Sequence, residues 1–201
     1  MYRKIILVIV MCFSLLSHMP VKALDENAAI TRAELANAVM ETYEYITQEF
    51  SLPTEERPTF SDIGQTPFQI RILQAHVNGF MNGVGDERFL PNENATKCQA
   101  AAVLYRLMQC LNEKYGLLLE EKQVTVSDLE AVPEWGTEAV NYMASTGLMQ
   151  LREGKFHPDE LVTKEELNAT TEKIKEIFVI SDDGERIDFQ TFLDRMMNMN
   201  K

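Results

Sequence analysis

A helix-start signature occurs three times in this chain at nearly constant spacing, and it restricts the available folds more than any other feature. It reads Thr31-Arg32-Ala33-Glu34, Thr96-Lys97-Cys98-Gln99 and Thr163-Lys164-Glu165-Glu166, at intervals of 65 and 67 residues. Self-similarity at a fixed period marks a repeat architecture. Each copy is Thr, a cation, any residue, then Glu or Gln. Thr-x-x-Glu/Gln is a capping box, in which the two side chains satisfy backbone N–H groups that the first helical turn leaves unpaired. The box does not explain the cation. Positive charge at a helix N-terminus opposes the macrodipole and costs roughly 0.3–1 kcal/mol. A repeated unfavourable choice at an anion-attracting helix end points to an anionic ligand.

The repetition runs well beyond the boxes. Ahead of Thr96 stand Phe60-Ser61-Asp62, a helix start at Pro67-Phe68, Gly79-Phe80-Met81-Asn82-Gly83 and Phe89-Leu90-Pro91. Ahead of Thr163 stand Val126-Ser127-Asp128, Pro133-Glu134-Trp135, Gly147-Leu148-Met149 and Phe156-His157-Pro158. The order is the same in both: apolar-Ser-Asp, short helix, Gly-apolar-Met, aromatic-x-Pro, capped helix.

This pattern resembles the S-layer homology (SLH) family. Its unit runs from an aromatic-x-Asp start through a short helix, a glycine loop and a Phe-x-Pro turn to an Ile-Thr-Arg-Ala-Glu helix start, which Ile30-Thr31-Arg32-Ala33-Glu34 matches fully. The likeness covers roughly residues 29–178. It implies an all-α domain of three units about a pseudo-threefold axis, with short helices in a central bundle and capped helices and loops as prongs. It also implies non-covalent binding of secondary cell-wall polysaccharide, often through a pyruvylated sugar, in the grooves between units. Carried over, Arg32 within Thr31-Arg32-Ala33-Glu34 meets the ligand carboxylate, because a guanidinium matches a carboxylate fork-to-fork where lysine cannot. Lys97 and Lys164 stand at equivalent places, either as point charges for the ligand or as solvated surface charges. Asp62 and Asp128 either bond sugar hydroxyls or form the turn before the short helix. Trp135 either stacks on a sugar or anchors the short helix in the core.

The copies depart from the family pattern. Cys98-Gln99 replaces the usual Ala-Glu, so Gln99 keeps the cap without the charge that would balance Lys97. Glu165 would repel an anion beside Lys164. The first unit has only its second half. Its missing short helix leaves a vacancy that an amphipathic tail from Phe189 onward, through Phe192, Leu193, Met196 and Met197, is expected to fill. The resulting division is a signal peptide at 1–23, a partial unit at 24–50, units at 60–113 and 126–178, and a tail at 179–201.

The start of the chain indicates export. Arg3-Lys4, an apolar run from Ile5 to Leu16, and Val21-Lys22-Ala23 read as a signal peptide cut after Ala23. The run is too short to span a membrane comfortably. Residues 1–23 hold Arg3, Lys4 and Lys22 and no Asp or Glu, so their removal takes the formal charge from −12 to −15. Such a charge argues against nucleic acid or anionic membranes as partners. Cys98 and Cys110 fall on one helix, about 18 Å apart at its rise per residue, too far to bridge. They are either small buried apolar residues or sites of an intermolecular disulfide.

Helical spacing places Leu35, Val39, Tyr43 and Ile46 on one buried stripe, and Ile70, Leu73 and Val77 on another. A third stripe holds Ala100, Val103, Leu104, Leu107 and Leu111; a fourth holds Leu167, Ile174, Ile177 and Phe178. No catalytic motif emerges. The chain has no Gly-x-Ser-x-Gly and no His/Cys cluster with metal-ligand spacing, so neither cofactor nor metal is expected. Two functions follow. One is a secreted, non-catalytic module on a Gram-positive-type wall, binding wall polysaccharide. The alternative is an interaction module that lost the sugar and binds another surface protein, for which the methionines of the tail suit adaptable contacts.

Overall fold

The computed structural model describes residues 25–49, 60–116, 119–180 and 186–188. Among them are five α-helices: α1 Arg32–Thr47, α2 Gln69–Val77, α3 Lys97–Tyr115, α4 Thr137–Ser145 and α5 Lys164–Ile177. Single 3-10 turns at Leu129–Ala131 and Glu134–Gly136 lead into α4. Pro133 therefore precedes a 3-10 turn, and α4 proper starts four residues later. The last helix gives way at Phe178 to a short antiparallel ribbon, β1 Phe178–Ile180 with β2 Arg186–Asp188. An aromatic followed by two β-branched residues favours extended backbone there. The expected signal segment 1–23 and the expected tail helix from Phe189 lie outside the described residues, as does the Pro-containing stretch 51–59.

All three capping boxes form. Thr31, Thr96 and Thr163 each accept from the backbone N–H three residues on, at 3.2 Å. Glu34, Gln99 and Glu166 reach back to the cap N–H at 2.7, 3.4 and 3.1 Å. At the other end, α3 closes on Gly116 with φ of 69°, a left-handed stop that glycine takes without Cβ strain.

The residue before each capping Thr joins the units together. Ile30 N–H donates to Val162 O, Val162 N–H to Ala95 O, and Ala95 N–H to Ile30 O, at 3.1, 3.0 and 2.9 Å. Three segments far apart in sequence thus close a hydrogen-bonded cycle, and all three residues are buried. Around it, the first two N–H groups of each capped helix donate to carbonyls of the next unit. Arg32 and Ala33 bond Glu93 O and Pro91 O; Lys97 and Cys98 bond Glu160 O and Pro158 O; Lys164 and Glu165 bond Ala28 O and Glu26 O. The donors a helix start leaves unpaired are therefore consumed by the protein itself. This removes the argument for an anion on the helix axis.

The capped helices carry the deepest burial, with Leu35, Ala36, Val39, Met40 and Ile46 of α1 and Leu107, Met108 and Leu111 of α3 fully enclosed. The expected bundle of short helices is thus replaced by a core of long ones, with α2 against α1 and α4 against α3. The stripe expected for α2 is also corrected. Ile72, Leu73 and Ala75 face inward, while Ile70 and Val77 are exposed. A nine-residue helix has too few turns for period alone to choose its face, and small Ala75 lets α2 approach α1 closely.

Cys98 and Cys110 are both free thiols. Burial pushes the Cys98 thiol up to about 11. Its sulfur abuts Gly136, where an added Cβ would sit 2.4 Å away. Gly136→Ala is expected to destabilise the protein by about 1–3 kcal/mol through overpacking. Chemical denaturation will read this as a shifted midpoint at unchanged slope, and Cys98→Ala should restore part of the loss.

Candidate functional site

The two Asp residues of the repeated units act on the turn that precedes each capped helix. Asp62 accepts from Phe89 N–H at 2.9 Å and Leu90 N–H at 2.8 Å. Asp128 accepts from Phe156 N–H and His157 N–H, both at 2.8 Å. Leu90 and His157, the middle residues of Phe-x-Pro, each have φ of 58°, a left-handed conformation that residues with a side chain rarely adopt. The carboxylate holds that turn, seating Phe89 and Phe156 in the core and aiming the Pro91 and Pro158 carbonyls at the helix start of the preceding unit. Burial pushes both carboxyls up, but the backbone donors outweigh it and keep them below the usual aspartate range.

The cation after the capping Thr is placed by the same packing. Arg32 is 8% exposed; its Nε donates to Phe89 O at 2.9 Å and Nη2 to Asn82 O at 3.1 Å. Its guanidinium lies 4.7 Å from the Phe89 ring centre. Lys97 is 3% exposed, with Nζ 3.0 Å from Glu166 Oε1 and 5.8 Å from the Phe156 ring centre. The cation thus meets carbonyls, a ring and a carboxylate of the following unit, which offsets its unfavourable place on the helix dipole. Gln99 of its own copy carries no charge to balance Lys97; the counter-charge is Glu166 of the next. Burial lowers the pKa of Arg32 and the charge of Asp62 pushes back, while a guanidinium stays protonated in proteins.

Two grooves follow from this arrangement. The first, about 330 Å³, runs between the start of α1, the glycine loop and α3, and Trp135 reaches it from the next unit. Arg32, Asn82, Gln99, Arg106 and Trp135 are its polar and aromatic lining, with Gly83 between them. Trp135 is 56% exposed, so it lies at the groove and not in the core. Gly83 permits the loop to lie flat, since a Cβ there would meet Phe60 at 2.6 Å and the Arg88 carbonyl at 2.7 Å. Arg106 was missed in the sequence, although it lies on the same face as Gln99, seven residues on. Its Nη1 donates to Phe80 O at 3.1 Å.

The second groove, about 190 Å³, is the counterpart one unit later, with Lys97, Gln150, Arg152, Glu166 and Lys173 in its lining. Lys173 bonds the Gly147 and Leu148 carbonyls as Arg106 bonds that of Phe80. Two of its cations are engaged internally, Lys97 with Glu166 and Arg152 with Glu160. Lys164 is half-buried at the start of α5 and lines neither groove. Thr31 and Glu34 are occupied with their capping box. Among the described residues no group of His, Cys, Asp and Glu is arranged to hold a metal, and no helix is long and apolar enough to cross a membrane.

The fold and its grooves define the class: an all-α repeat module whose units interlock at capped helix starts. Residues 59–101 and 127–167 match the S-layer homology domain. Both segments belong to that family, a non-catalytic binding module that typically anchors proteins at the cell wall. An endoglucanase from Bacillus sp. (strain KSM-635) is 35% identical over 83 residues, 41% of this chain and 9% of that enzyme. The chain therefore spans under a tenth of that relative, and the likeness covers none of the rest of it.

Proposed function

We propose that this protein is exported by cleavage after Ala23 and held non-covalently at a Gram-positive-type cell surface by binding an anionic wall polysaccharide, such as one bearing pyruvylated sugar. Residues 24–50 serve as a partial first unit, a reading supported by the Ile30–Val162–Ala95 cycle and by the bonds of Lys164 and Glu165 to Ala28 and Glu26. The observation that carries the function is the first groove. It combines two guanidinium groups, amide side chains and an exposed indole in a space of monosaccharide size. Two bonds to carbonyls hold the Arg32 guanidinium rigid and use two of its five donors. A carboxylate ligand would meet a pre-organised partner, and Trp135 offers a ring face to an apolar sugar face.

The second reading, a protein-interaction module, draws on the internal ion pairing of the second groove and on the engagement of Asp62 and Asp128 with backbone N–H groups. A cell-wall pulldown separates the two. Protein beginning at Leu24 is expected to sediment with intact walls and not with walls stripped of their secondary polymer. Trp135→Ala should weaken retention at least fivefold with unchanged melting, because the side chain is largely exposed; Arg32→Ala should abolish it. Equal sedimentation with stripped walls, or none with either, would favour the interaction module.

A further inference from the structure

We infer that Asn82 loses its side-chain amide spontaneously, with the Gly83 nitrogen as nucleophile and Arg32 as the group that activates it. This makes Asn82 a modification site whose product carries a carboxylate into the first groove, whatever that groove binds. The chain holds two Asn-Gly pairs, Asn78-Gly79 and Asn82-Gly83. Glycine favours this chemistry because no Cβ shields the nitrogen that must approach the preceding side chain. The two pairs share a sequence and differ in what holds them. Asn78 closes α2, and its Nδ2 donates to Gln74 O at 2.8 Å. Gly79 N–H donates to His76 O at 2.9 Å. Attack there would break both bonds. Asn82 is exposed, and among the described residues neither its side-chain amide nor Gly83 N–H has a hydrogen-bond partner.

The peptide between Asn82 and Gly83 is polarised instead. Arg32 Nη2 donates to Asn82 O at 3.1 Å, and that oxygen belongs to the same peptide unit as Gly83 N–H. When the nitrogen gives up its proton, negative charge spreads onto the oxygen. A fixed guanidinium stabilises that anion as the donors of an oxyanion hole do. Arg32 is buried, so water screens the interaction little. The step balances within the chain. Gly83 N bonds Asn82 Cγ, the Cγ–Nδ2 bond breaks, and Nδ2 leaves as ammonia with the Gly83 proton, giving a cyclic succinimide. Water then opens the ring. Opening at Cγ yields aspartate; opening at the former main-chain carbonyl yields isoaspartate, with the backbone rerouted through the side chain. In the isoaspartyl product the new carboxylate is built from the carbonyl that faced Arg32, so a hydrogen bond becomes an ion pair. In either product the groove gains a carboxylate, where its lining otherwise has none. The positive charge of the groove therefore falls with the age of the molecule.

The test incubates the exported protein at mildly alkaline pH and maps amide loss by peptide mass spectrometry, with isoaspartyl methyltransferase labelling to identify the rerouted product. Loss at Asn82 is expected at least tenfold faster than at Asn78. In denaturant the two pairs should lose their amides at similar rates, because sequence alone then decides. Arg32→Gln should slow the loss at Asn82 at least threefold in the folded protein and leave it unchanged in denaturant. Asn82→Gln, whose longer side chain must close a larger ring, should abolish the fast phase. Equal folded-state rates at Asn78 and Asn82, or loss led by another asparagine, would overturn the inference. So would an Arg32→Gln protein, shown by its melting to be folded, that ages at the wild-type rate or faster.

Discussion

Asp128→Ala is expected to lower stability by about 3 kcal/mol, a fall in melting temperature of about 10 °C for a chain of this size. The aspartate receives the N–H groups of Phe156 and His157, and bonds to a charged acceptor contribute about 1.5–3 kcal/mol each. Without it, His157 has no reason to hold its left-handed backbone, and the Pro158 carbonyl no longer faces Cys98 N–H. The damage passes from one turn to the interface between units. Asp62→Ala should behave alike, since Phe89 and Leu90 repeat the geometry. The sign of the pH dependence follows from the depressed carboxyls. Their contribution is complete above the unfolded aspartate value of about 3.9 and is lost as pH falls through the lower folded values. Thermal melts of wild type, Asp62→Asn and Asp128→Asn should thus differ most near neutrality and begin to converge only below about pH 4. A gap that persists at the lowest pH would show that the carboxylate charge is not what holds the turn.

Glu166→Ala should cost about 2–3 kcal/mol, whereas Lys97→Met should change stability by less than about 1 kcal/mol. The asymmetry arises from burial. Lys97 is 3% exposed, so removing its partner strands an ammonium in the interior. The carboxylate of Glu166 is about a third exposed, so it can hydrate when Lys97 is gone, and it keeps its bond to Thr163 N–H. Methionine fills nearly the same volume against Phe156 without a charge to compensate. Burial raises the Glu166 carboxyl, but Thr163 N–H and Lys97 together hold it below the ordinary value, so this contribution also fades in acid. Denaturant unfolding of both variants and the double variant measures the pair directly. Equal losses from the two single changes would contradict the burial argument.

Much of this organisation was legible in the sequence because it is local. Capping boxes, the glycine stop of α3 and the stripes of α1 and α3 depend on residues within one or two helical turns. The repeat order gave the family likeness for the same reason, since each element carries its own short signature. The site was less legible. Arg32 stood out as a cation in the wrong place, but the partners that explain it, the Phe89 and Asn82 carbonyls, lie 57 and 50 residues away. The second stripe misled because nine residues give period alone too little to choose between faces.

What the sequence determined by itself is the set of parts: three capped helices, two Phe-x-Pro turns, and a strongly acidic chain. What only the tertiary structure decided is who meets whom. Helix starts interlock with the following unit, so Arg32 and Lys97 find their partners there and not in their own copies. That is why Lys97 is neutralised by Glu166, 69 residues away, and not by the capping residue of its own copy. Charge compensation acts through space over a few ångströms, and the chain brings those ångströms together only after it folds.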